Sequence, residues 1–354
     1  MLSWVSVSAV TGEIITDLPN LRTDGSLKAT LMRYETATAN LPMDGAPENW
    51  RVATRPAATF LVALDEQEAP LWGGMVIRRT RAVGSGVGLS LVSAEGYLDR
   101  VYVGDVAYTA GPQNLIVQSL VETYCDTLPI RVEVVGGDGV ARDREYKDSE
   151  DKTLYSVLTD FSGVVGGPEW TIGWEWVDER RLGLVFYVGD RIGSPAPVGL
   201  NPAAQFYLPG SVTDAELEEG YGADEGANDV MAVSTGTEDA RPQSPHQTIT
   251  TDLRPRFEKR WSPSTSIKEV PTLTSHAQRA LAAMKDGTLA LSLTANRQEA
   301  PALNRDWRIG DDIGFDITAP EFPDKLVGTA RCVGWELTDT TITPLVDVTN
   351  VEGV

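Results

Sequence analysis

At 354 residues, 42% apolar and with nine tryptophans, the chain is too long for one ordinary core and apolar enough for two or three, which excludes wholesale disorder. Its 51 acidic residues against 30 basic ones leave a formal charge of −21, so it lacks the basic surface that duplex nucleic acid or an anionic membrane would require. Only two cysteines are present, Cys125 and Cys332, in no metal-ligand spacing, and both read as small buried hydrophobes.

Residues 1–108 read as sheet and are expected to form an N-terminal β-barrel. Trp4, Ser6 and Ser8 alternate with Val5, Val7 and Ala9, the period of a strand with two distinct faces. Thr59 to Leu64 and Met75 to Thr80 are two further strands, separated by a polar link from Asp65 to Pro70. Gly84-Ser85-Gly86 suits a hairpin turn, because glycine reaches positive φ without steric cost. The N-terminus shows no signal peptide, Arg22 being the first basic residue, and no run approaches the ~18 apolar residues of a membrane-spanning helix. The expectation is assembly in the cytoplasm and no membrane insertion.

Residues 109–213 change character and read as an α/β insert. A helix begins around Gly111-Pro112-Gln113-Asn114 and carries the stripe Ile116, Val117, Leu120, Val121 and Tyr124. A second helix sets Leu154, Val157, Leu158 and Phe161 on one face, with Glu150 and Asp151 before it and Gly163 after it. Trp170, Ile172, Trp174 and Trp176 then alternate, and Leu182, Leu184, Phe186 and Val188 answer them across the turn from Asp178 to Arg181. Such a tryptophan row is a sugar-stacking platform if exposed and core if buried; matched apolar partners favour core.

Residues 214–354 are expected to hold an acidic loop, a proline-rich connection, a short helix and a second β-barrel. Seven acids and no base fall within 214–229, in a spacing unlike the calcium loop, so a solvated surface loop is expected. The connection from Ala240 to Pro271 carries Arg254, Arg256, Lys259 and Arg260, a cluster suited to an acidic neighbour. Thr274-Ser275 is positioned to cap a helix striped with Leu273, Ala277, Ala280, Leu281 and Met284. Alternating Leu289, Leu291 and Leu293 return the chain to sheet, with a hairpin near Thr338-Asp339-Thr340.

Chemistry-bearing motifs are absent from this pattern. His246 and His276 each lack a second ligand at helical spacing, and there is no Gly-x-Ser-x-Gly elbow and no P-loop. Gly84, Gly86 and Gly88 lack the dinucleotide spacing. Glycoside hydrolysis needs only two carboxylates, and no pair stands out. No catalytic, cofactor-binding or metal-ligating residue is assigned, no cofactor is expected, and the chain is read as a non-enzyme.

The run Leu71-Trp72-Gly73-Gly74-Met75-Val76-Ile77, then Ser93-Ala94-Glu95-Gly96-Tyr97-Leu98, then the helix after Gly111, resembles the front of tail-hub proteins. These are minor tail proteins of long-tailed phages, especially those infecting actinobacteria. The helix from Thr274 to Met284, the Ile309-Gly310-Asp311 turn and the closing strands through Pro344-Leu345 resemble the back of the same family. The resemblance implies a β-rich α+β chain with two related antiparallel β-barrels and an α/β insert. It implies a homotrimeric hub at the virion tail tip that joins a six-fold tube to a three-fold tip and lets DNA pass. Expected partners are the distal tail or tube protein, the tape-measure protein and tip or fibre proteins, without specific nucleic-acid binding. The alternatives are a receptor- or glycan-binding tail-tip module and, further off, a cell-wall hydrolase. A glycan platform would leave at least two of Trp170, Trp174 and Trp176 exposed.

Overall fold

Strand-forming alternation dominates, and the fold is mostly β, with 48% of residues in strands and 15% in helices, as the β-rich expectation required. The computed structural model describes residues 2–347 and 351–352, apart from 85, 165, 198–199, 224, 235–240, 251–253 and 263–268. The chain forms two compact units, Met1–Ala215 with Ser292–Val354, and Glu216–Leu291.

The first eight strands of the larger unit are β1 (Ser3–Ser8), β2 (Ile14–Asp17), β3 (Arg22–Asp24), β4 (Leu27–Thr30), β5 (Thr36–Leu41), β6 (Thr59–Leu64), β7 (Pro70–Arg81) and β8 (Val87–Ser93), with a one-turn helix α1 (Trp50–Ala53) between β5 and β6. All but β4 join one curled antiparallel half-barrel in the order β2-β1-β6-β7-β8-β5-β3. The strand expected at Met75 starts five residues earlier, at Pro70. Both faces of β1 are covered: Trp4, Val5, Ser6 and Val7 are all buried. Val5 and Val7 enter the core with Phe60 and Val62. Opposite them Trp4 packs edge-on to Trp72, and the Ser6 hydroxyl donates to the Ala53 carbonyl at 2.6 Å. Serine alternation marks the second face as polar in sequence, but a satisfied hydroxyl is buried at little cost. Gly84 and Gly86 both take positive φ at the β7–β8 turn, and Ser85 lies outside the described residues.

The insert contributes β9 (Val106–Pro112), α2 (Gln113–Tyr124), β10 (Ile130–Val135), β11 (Ala141–Tyr146), α3 (Leu154–Ser162), β12 (Glu169–Asp178) and β13 (Arg181–Gly189). Both helices follow their apolar stripes: Ile116, Val117, Leu120 and Val121 are buried on α2, and Leu154, Val157, Leu158 and Phe161 on α3. The N-cap of α3 is Thr153, whose hydroxyl accepts from the Ser156 N–H at 3.2 Å. The β12–β13 hairpin takes the expected register, pairing Trp170 with Val188, Ile172 with Phe186, Trp174 with Leu184 and Trp176 with Leu182. Trp170 and Phe186 join the core of the two helices, while Leu182 and Leu184 join that of the first sheet.

The chain continues through β14 (Gln205–Leu208) and β15 (Val212–Gly220), then β16 (Asp229–Ala232), β17 (Gln247–Thr248), β18 (Glu258–Trp261) and α4 (Val270–Met284). It closes with β19 (Thr288–Asn296), β20 (Asp312–Ala319), β21 (Phe322–Leu337) and β22 (Thr341–Asp347). The second large sheet runs β14-β20-β21-β22-β19-β15, with β14 parallel to β20. β4 crosses to this sheet, pairing Leu27–Thr30 with Gly334–Leu337.

In the smaller unit Leu273, Ala277 and Leu281 of α4 are buried with Val230 and Ala232 of β16. Three expectations are corrected here. The segment 214–229 is not one solvated loop: residues through Gly220 lie in β15, and Asp229 opens β16 nearly buried. Ala215 and Leu217 alternate with exposed Glu216 and Glu218, a strand pattern that the density of acids hid. Asp224 lies outside the described residues. The connection through 240–271 contains two short strands, β17 and β18, each paired with β16. Thr274 and Ser275 do not cap α4, which begins at Val270 with Pro271 in its first turn; their hydroxyls donate back to the Val270 and Pro271 carbonyls.

Candidate functional site

Three of the segments that carry the sequence resemblance converge on one place in the larger unit. Leu71-Trp72-Gly73 on β7, Ser93-Ala94-Glu95 after β8, and Ile309 with Asp311 before β20 all line a single cavity of about 510 Å³. Trp335 on β21 and Trp174 on β12 complete it, so both large sheets and the insert meet there.

Each motif is explained by packing at this junction. A Cβ on Gly73 would fall 2.4 Å from the Trp174 indole, and one on Gly74 would fall 2.4 Å from the Trp72 ring. The paired glycines are therefore the room that two tryptophans need. Trp174 rests edge-on against Phe60 at 5.1 Å between centroids, and the Trp72 indole N–H donates to the Lys28 carbonyl on β4 at 2.9 Å. Gly96 is similarly close to Val92, which tightens the 3-10 turn Ala94–Arg100 and turns Glu95 inward.

At the other wall, Gly310 (φ +91) lies against Ile192 and Gly193 (φ +80) in backbone-to-backbone contact. Polar bonds lock this crossing. Asp311 accepts from the Ser194 and Arg308 N–H groups at 2.7 and 2.8 Å, and Asp312 from Arg191 at 2.5 Å and the Ala196 N–H at 2.8 Å. Arg331 grips Glu169 with both terminal nitrogens, at 2.7 and 2.5 Å, and reaches the Ile192 carbonyl at 2.8 Å. Both side chains are largely buried, so this bidentate pair joins β21 to β12 with fixed geometry.

Glu95 is the unusual group. It is buried, accepts from the Ile172 N–H at 3.3 Å, and faces no cation among the described residues. Burial pushes its carboxyl from 4.5 up to about 7, against the opposing hydrogen bonds from Ser93 and the backbone. Below pH 4.5 the folded and unfolded chains both hold the proton. Between 4.5 and 7 the unfolded chain releases it first, so stability falls as pH rises, by about 3 kcal/mol in all. Glu95→Gln is expected to remove that slope; urea unfolding at a series of pH values checks it, and parallel curves for both proteins would refute it.

The histidines and cysteines of the sequence lie apart from this junction. His246 bonds through Nδ1 to Asp229 at 2.6 Å in the smaller unit, and Arg256 contacts the same carboxylate. Burial raises the Asp229 carboxyl, but its hydrogen bonds and charge interactions with His246 and Arg256 outweigh it and hold it below its ordinary value. Two members of the basic cluster meet acidic neighbours inside their own unit, Arg256 at Asp229 and Arg260 at Glu258, while Arg254 lies over the Tyr221 ring. His276 meets the Trp261 ring edge-on. Cys125 and Cys332 are both free and buried, and burial pushes each thiol up to about 12. Among the described residues no group of three or more His, Cys, Asp or Glu side chains is placed to hold a metal ion, and no helix is long and apolar enough to cross a membrane.

The tryptophan row is graded. Trp170 is fully buried, Trp174 half-buried, and Trp176 is 37% exposed with its N–H donating to the Glu68 carbonyl. One exposed ring falls short of the two that a surface glycan platform requires. Sequence reasoning placed the row and its register but missed the cavity beside it, whose walls come from segments over 200 residues apart. The glycine pair beside Trp72 was the available signal.

In fold the chain is similar to the 43 kDa tail protein of prophage MuSo2 from Shewanella oneidensis, with a TM-score of 0.59 and 10% identity over 98% of each chain. It is similar to the tail protein from Neisseria meningitidis MC58, with a TM-score of 0.57 and 13% identity over 98% of this chain and 97% of that one. A chain of the Francisella PdpA–VgrG complex matches with a TM-score of 0.55 and 9% identity, over 99% of this chain and 58% of the other. No protein-family model and no curated protein sequence matches. What is shared with these structures is the fold.

Proposed function

We propose that the chain is a non-enzymatic structural subunit of a phage tail, a tip hub that assembles as a homotrimer. The observation that carries this reading is a fold shared from end to end with the MuSo2 prophage tail protein and the Neisseria meningitidis tail protein. Internal repetition supports the hub assignment. β6–β7–β8 and β20–β21–β22 are both antiparallel meanders around a long central strand, bulged at Val76/Arg78 in one and Cys332/Gly334 in the other. Three copies carry six such meanders, which suits a junction between a six-fold tube and a three-fold tip.

In this role the subunit contacts the distal tail or tube protein, the tape-measure protein and the tip or fibre proteins, in phages whose hosts, by the sequence resemblance, are actinobacteria. The charge fits passage of DNA: three times −21 on a ring keeps phosphates from adhering to the lumen. The locked crossing at Glu169–Arg331 fits a part that transmits load without changing shape.

Light scattering on the purified chain, alone and mixed with its tube protein, is expected to give three times 38.3 kDa for the hub component. A tail-tip reconstruction without three copies in the ring would refute the reading, and a basic lumen would refute its electrostatic part.

A further inference from the structure

We propose that the cavity at the junction of the two sheets and the insert is a binding site for a saccharide. At about 510 Å³ it lies within the size range of small-molecule sites. Its walls combine aromatic rings with hydrogen-bonding groups that the fold itself leaves unspent. The indole N–H groups of Trp174 and Trp335 have no acceptor among the described residues, and neither does the Tyr187 hydroxyl a partner. Trp335 is 3% exposed as a residue and lines the cavity. Among the described residues the exposed Arg308 guanidinium has no hydrogen bond or ion pair, and the Glu95 carboxyl, which accepts from the Ile172 N–H, has no cation opposite it.

The balance of these groups selects the ligand. Other acids at the rim are committed: Glu133 and Glu175 to Arg131 at 2.8 and 2.6 Å, and both Asp311 oxygens to backbone N–H groups. A metal ion or polyamine would therefore meet one carboxyl without a cation, Glu95, already hydrogen-bonded to the Ile172 N–H, among several donors. A phosphate would be set against Glu95. A neutral ring bearing hydroxyls, each both donor and acceptor, satisfies Glu95 and the donors together while its apolar face stacks on an indole. This site is distinct from the exposed end of the tryptophan row, since Trp176 does not line it. It does not depend on ring assembly.

The test uses the full chain titrated with glucose, galactose, rhamnose and N-acetylglucosamine, read by saturation-transfer NMR and calorimetry. Saturable binding of at least one sugar is expected. Arg308→Ala, at an exposed position where folding is undisturbed, should weaken it about tenfold, and Trp174→Phe, which keeps a ring against Phe60 but removes the N–H, several-fold. Trp176→Ala should leave it unchanged. Binding of none of the sugars, binding of putrescine or inorganic phosphate in their place, equal affinity in Arg308→Ala, or loss in Trp176→Ala would each overturn the proposal. Light scattering reads the trimer separately, so failure here is distinguishable from failure of the hub assignment.

Discussion

A Gly193→Ala chain is expected to lose about 3–5 kcal/mol of stability in its larger unit, among the largest effects of any single methyl addition in this protein. The residue holds φ +80, and an added Cβ would sit 2.0 Å from the Gly310 carbonyl carbon and 2.3 Å from the Asp311 nitrogen. Both are backbone atoms of a crossing fixed by Arg331, Asp311 and Asp312, so neither connecting segment has a side chain to swing aside. Gly25→Ala is the control: it also has positive φ, +89, but nothing lies within 4 Å of its Cβ position. Its cost should be about 1 kcal/mol, the conformational strain alone. Eight of the nine tryptophans fall in the larger unit, so the fluorescence-detected urea midpoint reads that unit. Equal shifts for the two variants would mean that the Gly193–Gly310 contact does not exist.

Trp170→Ala should be comparably damaging, at about 3–5 kcal/mol. Trp170 is completely buried, stacked on Phe186 at 5.7 Å with planes 10° apart, and meets Tyr155 edge-on at 5.9 Å. Deleting the indole leaves a void between the hairpin and the two helices that neither rigid element can collapse into. Trp170→Phe should cost only about 1–2 kcal/mol, because it keeps a ring on Phe186, and the lost Nε1 has no hydrogen-bond partner to strand among the described residues. A phenylalanine variant as unstable as the alanine one would show that ring stacking is not what holds this core.

Much of the local structure was legible because burial repeats along the chain. The apolar stripes of α2 and α3 identify their inward faces, and the eight alternating residues of the tryptophan hairpin specify a register that the fold adopts residue for residue. The same logic failed where charge masks alternation. β15 alternates exposed Glu216 and Glu218 with Ala215 and Leu217, and β18 places only four residues, two of them basic, beside β16. Helix caps were misread where Thr274 and Ser275 bond backward along α4, since a hydroxyl serves either purpose and only φ and ψ distinguish them.

The candidate site was almost invisible before folding. The Gly73-Gly74 pair is conspicuous in sequence, yet nothing local says that Trp174, a hundred residues on, needs that room. Glu95 reads as one acid among 51 until the turn it occupies and the neighbouring strand exclude water from it.

The amino-acid sequence by itself determined the class of structure, the faces of its helices and the hairpin register, because these follow from periodicities of 2 and 3.6 that neighbouring residues already display. Tertiary structure alone decided that β4 leaves its own sheet for β21, that β10 lies parallel to β13, and that Gly193 meets Gly310. Those pairings join segments distant along the chain, and their choice depends on which edges and backbones come within reach once the sheets have curled, a quantity that no local pattern encodes.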